Sequence, residues 1–138
     1  MATIIFKRTS EYNNILRDYQ LFLDGKKIGT IANGQTKEFE TTSGQHNIVA
    51  KIDWCSSPEI SLTLNDTEKK ELIVGGFKNG NWIMPIAMGA IPLNFVLRFA
   101  FNFDYGIFLL IPAFILLVYY YTVGRKKYLT LFELQKLK

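Results

Sequence analysis

At 138 residues the chain is sized for about one ordinary domain. Its formal net charge is +4, yet acidic and basic side chains balance over residues 1–81, and the excess sits at Arg125, Lys126, Lys127, Lys136 and Lys138. Charge placed where an apolar segment ends fits anionic headgroups and argues against a nucleic-acid binder, whose basic excess lies on a soluble face. The single cysteine, Cys55, excludes an internal disulfide and suits a reducing compartment.

The opening stretch MATIIFKRTSEYNN has no basic region followed by a long apolar run, so no signal peptide is expected, and the sequon Asn65-Asp66-Thr67 is expected to go unused. TIIFKR reads as a first strand; EYNNILRD fits a loop or one helical turn. DYQLFLDGKKIGTIANGQ then reads as strand, turn, strand, turn, with Asp24-Gly25 and Asn33-Gly34 as hairpin signals, because Gly accepts the positive φ that tight turns require. KEFETTSG ends at the Gly44 turn. HNIVAKIDW follows, then PEISLTLND, with Ile60, Leu62 and Leu64 on one face, and EKKELIVGG closes the set. Around seven short strands at this spacing predict a small antiparallel β-sandwich, Ig-like in kind, over residues 1–78.

The stretch QHNIVAKIDWCSS joins the only histidine, His46, to Asp53 and Cys55, the parts of a thiol-nucleophile site. An extended chain separates them. His46, Ile48, Ala50, Ile52 and Trp54 share one face, and Asn47, Val49, Lys51 and Asp53 the other. At roughly 3.3 Å per residue His46 lies about 30 Å from Cys55 and about 23 Å from Asp53, whereas a nucleophile and its base need roughly 3 Å. A partly buried His after a turn and a small apolar Cys at a strand end are the expected roles. One His and one Cys do not make a zinc site, which wants about four ligands. No catalytic, cofactor-binding or metal-binding residue is therefore assigned, and no cofactor is expected.

LFLDGKKIGTIANGQTKEFETTSGQHNIVAKID carries a strand–DG–strand–G start, a polar strand, and G-x-H-x-I opening a long strand; the residues are Asp24, Gly25, Gly29, Gly44, His46 and Ile48. Over residues 19–75 the chain resembles the PEGA-like domain family. The tetrapeptide that names the family is absent, and Ile28-Gly29-Thr30 runs into Ile31 and Ala32 without the family's usual proline. The resemblance implies a β-sandwich interaction module with no catalytic residues to carry over; it names no ligand.

Residues 79–81 read as a linker. Residues 82–103 and 105–124 are then two apolar segments, and a spanning helix needs about 20 such residues. The second is uncharged, ends in Tyr119, Tyr120 and Tyr121, and is stopped by Arg125, Lys126 and Lys127; with Trp82 these are the expected membrane-interface residues. The first contains Pro85, Pro92, Gly89, Asn94 and Arg98. It fits either one arm of a transmembrane helical hairpin, with Arg98 snorkelling and pairing with Asp104, or a re-entrant segment. Arg98, Asn94 and Asp104 are the candidate membrane-function residues. Residues 125–138 read as a basic amphipathic tail helix through Leu131, Leu134 and Leu137, interfacial or partner-binding.

These readings predict an α+β membrane protein. A β-sandwich at 1–78 precedes a hairpin at 82–124, in a multi-pass inner-membrane protein with both termini cytoplasmic. The expected function is non-enzymatic binding or assembly, with the lipid bilayer and either a second copy or another membrane protein as partners, and no nucleic acid. The alternative is a small oligomeric channel or membrane-disrupting effector with Arg98 and Asn94 in its membrane core.

Overall fold

The computed structural model describes residues 1–77 and 80–134. The fold is α+β, and the chain divides into a β unit, Met1–Lys78 with Lys126–Lys138, and a helical unit, Asn79–Arg125. Lys136, Leu137 and Lys138, on which part of the tail reading rested, lie outside the described residues, as does Asn79 of the expected linker.

The β unit has nine strands among the described residues: β1 (Ala2–Arg8), β2 (Tyr19–Leu23), β3 (Lys26–Ile31), β4 (Thr36–Thr41), β5 (Gly44–Ile52), β6 (Cys55–Ser56), β7 (Ile60–Leu64), β8 (Lys69–Gly75) and β9 (Thr130–Glu133). One sheet runs β4-β1-β8-β9; the other runs β3-β2-β5-β6, with β7 also on β5. Both sheets supply side chains to one buried cluster, including Ile4, Phe6 and Leu72 from the first and Leu21, Ile48, Ala50 and Leu62 from the second. Strand period two puts them there: Ala2, Ile4, Phe6 and Arg8 are buried in turn along β1, and His46, Ile48, Ala50 and Ile52 along β5. The inward face read for the β5 stretch holds as far as Ile52. Asp53 then takes a positive φ of 33° and turns the chain, leaving Trp54 partly exposed.

Pro58 lacks an N–H and breaks the ladder between β6 and β7. Ser57 repairs the gap. Its amide donates to the Ala50 carbonyl at 2.8 Å, and its hydroxyl accepts the Ala50 amide at 3.0 Å.

Three expectations about the β unit are corrected. The sheets are not purely antiparallel, because β1 pairs β8 in parallel, Ile4 opposite Lys70 and Phe6 opposite Leu72. The strands number nine, the short β6 and the late β9 being additional. The C-terminal tail is not an amphipathic helix at Thr130–Glu133 but an antiparallel strand on β8, with Leu131 opposite Val74 and Phe132 opposite Ile73. Leu129 and Leu131 sit two apart, the spacing of one strand face, and β8 offers an open row of backbone donors and acceptors that a strand satisfies. Tyr128, Leu129 and Leu131 complete the core, and the Leu129 amide reaches the Ser56 carbonyl of the other sheet at 3.3 Å.

The helical unit holds α1 (Gly80–Phe101), a 3-10 helix over Asp104–Leu109 and α2 (Leu110–Thr122). The expected linker is thus shortened, because Gly80 and Asn81 already form the first turn of α1, where backbone N–H groups lack intrahelical acceptors in any case. Asn102, with a φ of 50°, ends α1, and the Phe103 amide folds back to the Leu97 carbonyl at 3.1 Å. Among the described residues Asp104–Thr122 is the one helical stretch long and apolar enough to cross a membrane by length and composition; the apolar part of α1, Pro85–Phe101, is shorter.

Because Leu129 is wholly buried, Leu129→Ala is expected to cost about 2–5 kcal/mol. The same change at the exposed Phe132 should cost well under half of that. Urea unfolding of the β unit in detergent, followed by near-ultraviolet circular dichroism, measures both.

Candidate functional site

The residues expected to form a membrane site lie in the helical unit. Arg98, in the last turn of α1, brings Nε to 4.0 Å from Asp104 Oδ1, with the two side chains 68% and 82% exposed. Asn94 turns its side-chain oxygen onto the Cα of Gly106, a buried glycine whose missing Cβ makes the contact possible. Trp82, Tyr119, Tyr121 and Arg125 are exposed, and Tyr120 is half-buried, its ring edge-on to Tyr119 at 5.3 Å. Lys126 and Lys127, at the start of the returning chain, are also exposed. Small side chains at Ala87, Ala90 and Ala113 line an apolar groove of about 200 Å³ between α1 and α2.

The constellation of His46, Asp53 and Cys55 is not assembled. His46 faces Leu62 near one end of β5, and Cys55 faces Ile52 at the other. Asp53 pairs instead with Arg17. Among the described residues no group of three or more His, Cys, Asp and Glu side chains is placed to hold a metal.

His46 has a different acidic partner, Asp24. Asp24 takes a φ of 48° at the hairpin turn, and its Oδ2 lies 2.7 Å from His46 Nδ1; Nε2 lies 2.9 Å from the Thr42 carbonyl. Both ring nitrogens face acceptors, so only the imidazolium satisfies both. The hydrogen bond to Asp24, and then the one to Thr42, hold the His46 pKa above its ordinary value. The same bond, helped by the Asn47 amide on Oδ1, holds Asp24 below its own.

A second cluster was not foreseen. Arg8 ends the inward row of β1 and is 1% exposed. Its Nη1 donates to the carbonyls of Arg17 at 2.5 Å and Ile31 at 3.1 Å, its Nη2 to that of Asn14 at 2.7 Å, and its Cζ lies 3.6 Å from the centre of the Tyr19 ring. Among the described residues the Arg8 Nε hydrogen meets no acceptor. The Tyr19 hydroxyl donates to Glu11 Oε2 at 2.9 Å and accepts from Asn14 Nδ2 at 3.0 Å. Burial, and then the Glu11 charge, push Tyr19 well above the ordinary tyrosine range, so it remains a donor. Glu11 Oε1 accepts from the Thr9 hydroxyl and the Gly76 amide. The signal for Arg8 is the period-two row Ala2, Ile4, Phe6, Arg8. The rest of the cluster depends on contacts between distant segments.

The Arg8 cluster marks one end of the β unit. Arg8, Thr9 and Glu11 lie there with Gly75–Gly76, where the chain leaves, and with Thr130, which pairs Gly75 as the chain returns. Tyr128 stacks on Phe77 at 5.3 Å and tilts against Trp54 at 5.2 Å. The Asp24–His46 pair belongs to the opposite end. No protein-family model, curated protein or solved structure matches the chain.

Two outcomes follow for these clusters. The raised His46 pKa contributes stability that is complete below the unfolded-state value of about 6.5 and is lost as pH rises through the higher folded value. The lowered Asp24 pKa contributes stability above its unfolded value and loses it in acid. Asp24→Asn should flatten the alkaline decline and bring the His46 titration, followed by NMR, back toward the unperturbed value. Arg8→Lys, which loses the guanidinium fork, should cost about 1.5–3 kcal/mol. It should also speed amide exchange mainly in residues 9–18.

Proposed function

We propose that the protein is a non-enzymatic integral membrane protein. In this reading the β unit is a PEGA-like β-sandwich that serves as a binding or assembly module, anchored by a helical hairpin over 82–124. The pairing of β9 with β8 carries the proposal. The strand that precedes the helical unit and the strand that follows it are neighbours in one sheet, so both ends of the helical unit lie on the same side of any bilayer. That sheet favours an even number of crossings over a single one. If Asp104–Thr122 crosses, α1 is the segment to cross back.

Length permits the hairpin and surface supports it. The 22 residues of α1 extend about 33 Å at 1.5 Å per residue, of which the apolar part, Pro85–Phe101, covers about 26 Å, a shortfall against a core of about 30 Å that local bilayer thinning accommodates. Phe95, Phe99, Ile107, Phe114 and Ile115 are all more than half exposed, an apolar surface that a bilayer would cover. Arg98 sits within one turn of the end of α1 beside Asp104, a placement suited to headgroups. The exposed Arg125, Lys126 and Lys127 favour a cytoplasmic β unit in an inner-membrane protein by the positive-inside rule.

The PEGA-like reading is supported by the way its residues meet. Gly25 and Gly44 take φ values of 78° and 133°. A Cβ on Gly29 would lie 2.9 Å from the Phe39 ring. Asp24 and His46, far apart in sequence, close on each other at 2.7 Å. Two sheets around one core suit a sandwich. The partner class is a second copy or another membrane protein. A pore reading has less support, since Asn94 is turned to Gly106 and Arg98 to Asp104 within the chain.

Labelling of introduced cysteines in intact cells, in a Cys55→Ser background, tests the topology. Asn13→Cys and Glu133→Cys should react with a membrane-impermeant maleimide only after permeabilisation, whereas Phe103→Cys should react without it. Labelling of Asn13 and Glu133 from opposite sides would contradict the even number of crossings.

A further inference from the structure

We propose that the loop joining β1 to β2, residues 9–18, is a lipid-contacting wedge. Tyr12, Ile15 and Leu16 insert among the headgroups and upper acyl carbons of the bilayer that holds the helical hairpin. The inference rests on the membrane reading above and adds a third attachment, made by the β unit itself.

The loop displays what a water-facing loop avoids. Tyr12, Ile15 and Leu16 are 85%, 54% and 92% exposed, and they fall within five consecutive residues. Scattered surface apolar residues need no explanation, but an adjacent group marks a contact. The exposure is imposed by the scaffold. Arg8 holds the Asn14 and Arg17 carbonyls from below, the Arg17 amide closes a turn on the Asn14 carbonyl at 3.1 Å, and Asn14 is bound to the Tyr19 hydroxyl. With its backbone pinned in this way, the loop presents its apolar side chains outward.

Position selects lipid as the occupant. Glu11, at the root of the loop, accepts the Gly76 amide, so the wedge is one hydrogen bond from the point where the chain leaves for the helical unit. Tyr128, where the chain has returned, packs on Trp54 of the neighbouring 53–54 turn, and Trp54 is itself partly exposed. Both chain connections to the helical unit leave the β unit at this end, so lipid is the occupant that connectivity supplies with no second molecule required. Tyr and Trp are side chains that partition to the headgroup level. The charges do not oppose it: Arg17 and Asp53 neutralise each other and Glu11 is hydrogen-bonded inward, so the exposed Lys126 and Lys127 stand against Asp18 as the exposed carboxylate of the loop. The small basic excess left by the two lysines is compatible with an anionic lipid surface.

Depth-dependent quenching in the full-length chain tests this. In a Cys55→Ser background, Leu16→Cys, Lys26→Cys and Phe114→Cys each carry the same environment-sensitive fluorophore. The proteins are reconstituted into vesicles of phosphatidylcholine and phosphatidylglycerol doped with lipids bearing a spin label near the headgroup or deep in the chain. Phe114, in α2, should be quenched by the deep label. Leu16 should be quenched by the shallow one. Lys26, at the opposite end of the β unit, should be quenched by neither. A probe on Asn13→Cys should share the shallow quenching and lose it severalfold when Tyr12, Ile15 and Leu16 are all changed to Ser. Quenching at Phe114 with Leu16 behaving like Lys26 would overturn the wedge while leaving the hairpin, and would make the patch a protein contact. Absence of quenching at Phe114 would overturn the membrane reading and the wedge with it.

Discussion

The structure depends on one pairing between segments on either side of the helical unit. Strand β9 lies antiparallel on β8, and β8 lies parallel to β1, so the first strand, the last strand before the helices and the strand after them are consecutive in one sheet. This places the departure and the return of the helical unit side by side. It also supplies Tyr128, Leu129 and Leu131 to the core, which residues 1–77 leave incomplete. The helical unit is therefore an insertion into the β unit, with its topology constrained by hydrogen bonds outside the apolar segments.

Around that pairing the two ends of the β unit differ in chemistry. One end is organised by a guanidinium buried among carbonyls and a tyrosine ring, and Arg stays protonated at any ordinary pH. The other is organised by an imidazole between a carboxylate and a carbonyl, which titrates. The permanent charge holds the loop over residues 9–18. The titratable pair holds the hairpin at Asp24-Gly25 against the start of β5. Changes in pH thus act mainly at the end of the β unit opposite Gly75–Gly76.

Alternation made much of the β unit legible. Ala2 through Arg8 and His46 through Ile52 follow period two, and the Asp24-Gly25 and Asn33-Gly34 turns fall between strands as their φ preferences require. The same reasoning ruled out a site joining His46 to Cys55. It did not reveal the parallel pairing of β1 with β8, which joins segments more than sixty residues apart and leaves no local mark. It also misassigned the tail. Leu131, Leu134 and Leu137 follow a helical spacing whereas Leu129 and Leu131 follow an extended one, and the open edge of β8 decided between them. The contacts of Asp24 with His46, and of Glu11 with Gly76, were invisible for the same reason as the parallel pairing: each partner is an ordinary polar residue until the fold brings it across.

The late arrival of β9 has a consequence in time. A chain made from its N-terminus completes β8 well before Thr130 exists, and at that stage the apolar run Leu72-Ile73-Val74 borders an unpaired edge. Such an edge is a template for pairing with other chains. The exposed interval lasts while the whole helical unit is synthesised, a few seconds at about 5–20 residues per second. Only a chain that has passed through the whole helical unit can close its own sheet.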